Sequence, residues 1–158
     1  MATWQFSVVL IPASWAEENS FNASALYDEE GDNTELAWKD RQPESGFEVV
    51  LSGILPASKS WHKDLLTWGN EKEHDIQVWY EDGTIDGITI RLDLNKNLNE
   101  MITRVVKAAM ILDCALFFPE FKRVAEANEL ALKYAIKKSD AAKFVRHPQA
   151  FLHELSKR

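Results

Sequence analysis

Two groups of residues in this 158-residue chain have the types and spacing to recognise something. The first is Trp79, Arg91 and Asp93. They lie on two β-rich runs, Ile76–Tyr80 and Thr84–Leu94, which flank Glu81, Asp82 and Gly83; Asp-Gly between such runs marks a hairpin over 75–94. Alternation puts Ile76, Val78 and Tyr80 on the core face with Ile88, Ile90, Leu92 and Leu94, and Trp79 beside Arg91 and Asp93 on the other face. An indole next to a guanidinium and a carboxylate stacks on a planar ligand and hydrogen-bonds it, or anchors a partner's side chain. The same three residues also suit a cross-strand ion pair shielded by the indole.

The second group is acidic. Residues 17–48 hold ten carboxylates against Lys39 and Arg41, a local net charge of −8, whereas residues 119–158 hold nine basic against five acidic side chains, net +4. Asp28, Glu29, Glu30, Asp32 and Glu35 crowd the most acidic turn, and Trp15 and Trp38 flank it as the expected partly exposed anchors. Carboxylates at this density steer a basic partner by long-range attraction and can occupy a phosphate-binding groove.

Other reactive residue types are not arranged for chemistry. His62, His74, His147 and His153 do not recur at metal-ligand spacing, and His153-Glu154 lacks the second histidine of a zinc helix. Adjacent His74 and Asp75 point to opposite faces of a strand and make a poor acid–base pair. Glu81, Asp82 and Asp86 at the hairpin tip lack the spacing of an EF-hand loop. With six glycines no phosphate loop assembles, and there is no Gly-x-Ser-x-Gly elbow. Cys114, the single cysteine, lies in the apolar run 110–118 as an inert buried thiol and excludes a disulfide framework. No catalytic residue, metal or cofactor is therefore expected.

The elements that must position these residues follow from pattern. Trp4 to Ile11 is apolar at both parities beyond Ser7, as a strand covered on both faces must be. Phe47, Val50, Leu51, Ile54 and Leu55 recur with a helical period up to Pro56, and Ser60 to Gly69 reads as a second short helix packing Trp61 and Trp68, one heptad apart, into the core. A helix over 98–117 is expected to cover the sheet, followed by helices over 121–138 and 140–146, the last capped by Ser139, and a final turn opened by Pro148. The basic tail, with Lys133, Lys137, Lys138, Lys143 and Arg146, reads as a solvated face or as a complement to the acidic segment of its own or a second copy.

The expectation is one α+β domain over 1–158, a small antiparallel sheet built from residues 4–11 and the 75–94 hairpin and packed against C-terminal helices. A net charge of −7 argues against nucleic acid, whose affinity rests on cations, and no apolar run is long enough to span a bilayer. With no signal-peptide pattern at its start, the chain reads as cytoplasmic. The first functional expectation is a non-enzymatic acidic domain, comparable in type to immunity proteins that inhibit nuclease toxins, engaging a basic protein partner. The second is a small-molecule or enzymatic site at Trp79, Arg91 and Asp93; homodimerisation is the third.

Overall fold

The computed structural model describes residues 1–157. In chain order the elements are β1 (Gln5–Pro12), α1 (Ala13–Glu18), β2 (Tyr27–Asp28), β3 (Gly31–Asp32), α2 (Glu35–Trp38), α3 (Phe47–Ser52), β4 (Ala57–Ser58), β5 (Leu65–Gly69), β6 (Asp75–Glu81), β7 (Thr84–Asp93), α4 (Asn99–Ile111), β8 (Cys114–Phe118), β9 (Arg123–Ala125), α5 (Glu129–Lys138), α6 (Asp140–Arg146) and α7 (Pro148–Leu155). Seven strands form one antiparallel sheet in the order β4-β5-β6-β7-β1-β8-β9, and β2 and β3 form a separate ribbon. The expected α+β class holds, with a sheet larger than the three strands read from the pattern.

β1 is the centre of this architecture. Its alternate residues Phe6, Val8 and Leu10 face one apolar core with Ile76, Val78, Ile88, Ile90 and Leu92, under α3, α4 and α5. Val9 and Ile11 face a second, smaller core made with Ala115 and Phe117 and covered by Trp15, Ala16, Leu26 and Ala37. The acidic stretch therefore turns its apolar side chains inward, while Asp28, Glu29, Glu30, Asp32 and Glu35 stay exposed.

Four local expectations are corrected. Trp15 and Trp38 are not exposed anchors: they are 5% and 2% exposed, and Trp38 donates its indole N–H to the Leu10 carbonyl at 3.2 Å. Residues 60–69 do not form a helix; Leu65–Gly69 is β5, so Trp68 is buried while Trp61 is 64% exposed. The expected 98–117 helix ends at Ile111, because Asp113 takes a left-handed conformation (φ 53°) and reverses the chain into β8. β8 is apolar and buried at all five positions, a pattern that a buried helix shares. The 121–138 helix likewise divides into β9 and α5, with Asn128 capping α5 through bonds from the Leu130 and Ala131 amides. The Ser139 cap of α6 and the opening of α7 at Pro148 agree with the pattern.

Opposite environments of the tryptophans give a direct check. Trp38→Ala is expected to lower unfolding free energy in urea by about 3–5 kcal/mol through the cavity it leaves, whereas Trp61→Ala should change it by no more than about 0.5 kcal/mol, as for other surface positions.

Candidate functional site

The apolar cover of the second face lies over β1, β8 and β9, and α2 packs against the start of β7. Across β5, β6 and β7 the same face carries Thr67, Gln77 and Thr89 in one row and Gly69, Asp75 and Arg91 in the next. Thr67, Gln77, Thr89 and Arg91 are half-buried and none joins an apolar cluster. Polar side chains at these positions leave nothing for a covering helix to bury against, so half the face stays open.

Trp79 closes one end of this open area, paired with Gly87 across the hairpin. The loop before β5 brings Trp61 and His62 against it. Trp61 and Trp79 meet edge to face with ring centroids 5.5 Å apart at 72°, and His62 lies 5.5 Å from the Trp79 ring. This loop is held by backbone bonding, because the Tyr80 N–H donates to the Asp64 carbonyl at 2.8 Å and His62 Nδ1 accepts the Asp64 N–H at 3.0 Å. A shallow cleft of about 460 Å³ runs from Trp61 past Lys59, Thr67 and Gln77. An indole exposed on this scale and buttressed by a second indole is a rigid contact surface of the kind that dominates interface energetics.

The acidic segment borders the aromatic cluster. Asp82 and Gly83, at φ 51° and 82°, give both central positions of the hairpin turn the left-handed conformation that a two-residue connection requires. Behind the turn the register shifts: Tyr80 pairs with Ile85 but Trp79 pairs with Gly87, leaving Asp86 as an extra residue in a bulge. The Thr34 hydroxyl donates to the Asp86 carbonyl at 2.8 Å and lies 3.2 Å from where a Cβ on Gly87 would stand. Thr34, which leads into α2, is thus one glycine away from Trp79. Burial, then Glu81 and Glu35, push the Asp86 carboxyl above its ordinary value, with only a backbone hydrogen bond opposing. Glu35 therefore joins Glu81 and Asp86 in one acidic rim, while Asp32 lies toward Tyr27.

The expected trio of Trp79, Arg91 and Asp93 is not brought together. Arg91 sits opposite Asp75, two residue pairs beyond Gln77 and Thr89 from the Trp79 position, about 13 Å along the strand. Its guanidinium grips Asp75 through two hydrogen bonds, Nε at 2.7 Å and Nη2 at 2.5 Å, and this pairing raises its affinity for the proton further. The Asp75 side chain is 3% exposed, so removing either partner would strand a buried charge at a cost of about 3–5 kcal/mol. Asp93 is buried and serves the turn after β7: its carboxylate accepts the Asn95 N–H at 2.9 Å, and its own N–H donates to His74 Nδ1 at 2.9 Å. Burial, the largest effect, holds His74 below the usual histidine range. Spacing alone could not find Trp61 and His62, because their contact with Trp79 depends on β5 being a strand.

Among the described residues no three His, Cys, Asp or Glu side chains gather as metal ligands, and no helix is long and apolar enough to cross a membrane. Burial pushes the Cys114 thiol up to about 12, which keeps it protonated and unreactive at neutral pH.

Asp86 supplies the pH test. Its folded-state pKa lies above the ordinary 3.8, so the fold favours the neutral carboxyl, and stability is lost as pH rises from that value through the folded pKa. Asp86→Asn is expected to raise Tm at pH 7, and the gain over the native chain should shrink as the pH is lowered toward 4; thermal melts across this range measure both.

Compared with protein-family models, with curated proteins and with solved structures, the chain finds no match.

Proposed function

We propose that the protein is a non-enzymatic binding domain that docks a basic protein partner on the open half of its sheet, with Trp61 and Trp79 as the anchor, Glu35, Glu81 and Asp86 as the rim and Asp28, Glu29, Glu30 and Asp32 as steering charges. The observation that carries this reading is the placement of the exposed Trp61 against Trp79, whose strand partner Gly87 lies under Thr34 of the acidic segment. Tight interfaces concentrate energy in a few aromatic side chains that a polar border shields from water, while charges at the border set the rate and direction of approach.

Asp86 adds a reason for a cationic partner. A carboxyl crowded by Glu35 and Glu81 gains when a Lys or Arg arrives, so the partner relieves a repulsion that the free protein carries. Such a domain acts by occupying its target's cationic surface, as an inhibitor of the immunity type would, or by delivering it as an adaptor. A small-molecule site centred on Arg91 is less well supported, because the guanidinium is already satisfied by Asp75.

The test is capture of partners by the tagged chain from its own cells, repeated with Trp61→Ala and with Asp28, Glu29, Glu30, Asp32 and Glu35 neutralised to Asn and Gln. A basic protein that is retained by the native chain, lost with Trp61→Ala and bound more slowly and with less salt dependence by the neutralised variant is the expected result. A partner retained equally by all three overturns the assignment of this surface.

A further inference from the structure

We propose that the outer edge of β9 is a second binding site, which takes an extended acidic segment of a partner protein as an eighth strand of the sheet.

β9 is the last strand of the sheet and pairs only with β8, so its other side presents backbone N–H and C=O groups with no ladder partner. A groove of about 690 Å³ runs along this edge. α5 forms one wall on the face of the larger core, and the segment around Phe21 forms the other on the face of the smaller core. α5 lines the groove with Ala131, Tyr134, Ala135 and Lys138. An edge strand facing a helix across an apolar trough is the arrangement in which peptides bind by strand addition, with main-chain bonds giving affinity and side-chain pockets giving selectivity.

Charge chooses the peptide. In a chain of net −7, this groove is lined by Lys122, Arg123 and Lys138 and by no carboxylate. None of the three cations makes a salt bridge among the described residues. Two of them rest on aromatic rings instead, Lys122 at 5.0 Å from the centre of Tyr27 and Lys138 at 4.3 Å from that of Tyr134. The Tyr134 hydroxyl is held below the usual tyrosine range by its hydrogen bond to Lys138, with Arg123 adding to the effect. An extended segment alternating apolar and acidic side chains satisfies the backbone edge, the apolar walls and the cations together.

The test uses the full chain and a fluorescein-labelled peptide of sequence Glu-Ile-Glu-Ile-Glu, followed by anisotropy at low salt. Its comparisons are the same peptide with alternate amides N-methylated in either register, and Lys-Ile-Lys-Ile-Lys. The acidic peptide should bind and shift the backbone amide resonances of residues 123–125. At least one N-methylated form should lose binding, and the lysine peptide should fail to bind. Arg123→Glu combined with Lys138→Glu, two exposed positions, should weaken the acidic peptide about tenfold or more and admit the lysine peptide. No detectable binding of the acidic peptide, undiminished binding of both N-methylated forms, or affinity unchanged in the double variant overturns the proposal. The site does not rest on the aromatic surface at the other end of the sheet, so Trp61→Ala should leave this binding unaltered.

Discussion

From Val8 to Pro12 the first strand turns no side chain to water, and its neighbours on both edges are already filled by β7 and β8. A strand in that position cannot be satisfied by one layer of cover. One face takes α3, α4 and α5; the other is sealed by the chain nearest in sequence, residues 13–37. That segment seals the smaller core through Trp15, Ala16, Ala23, Leu26 and Ala37, and its carboxylates are consequently turned outward. The acidity of the surface and the burial of β1 are two sides of one requirement.

The cover stops where its purpose stops. β8 and β1 offer Val9, Ile11, Ala115 and Phe117 on the second face, whereas β5, β6 and β7 offer Thr67, Gln77 and Thr89. A face of that composition gains little by leaving water, so it remains open and the acidic segment ends as its border. The Asp75–Arg91 pair stands at the opposite end of this open face, where two hydrogen bonds hold the guanidinium out of circulation. What remains available for recognition is aromatic at Trp61 and Trp79 and anionic beyond Gly87. The bulge at Asp86 joins the two, and its crowded carboxyl is the kind of local cost that binding surfaces retain when a partner relieves it.

Much of the framework is legible in residue order. Unbroken apolarity identifies β1, the Asp-Gly turn and period-two alternation identify β6 and β7 with their inward faces, and Ser139 marks the start of α6. The failures share a cause. Cys114–Phe118 and Leu65–Gly69 are short apolar segments whose type is decided by what lies beside them, β1 for one and β6 for the other, and neither neighbour is near in sequence. The candidate site depends on those same pairings. Trp61 reaches Trp79 because β5 is a strand; Arg91 finds Asp75 because the bulge advances the register; and Thr34 lies over Gly87 across fifty-odd residues. Which tryptophan is exposed was for this reason invisible: Trp15 and Trp38 sit in a charged stretch yet are buried, and Trp61 sits in an amphipathic one yet is not.

On the proposal above, the partner sits on the open half-face around Trp61. Photo-crosslinking in the protein's own cells addresses it most directly, with benzoylphenylalanine introduced at position 61 and, as a control, at the exposed position 110 on α4, beneath the opposite face of the sheet. The account predicts a covalent adduct to a basic protein from position 61 and none to that protein from position 110. Adducts to a shared protein from position 110 but not from position 61 would contradict it.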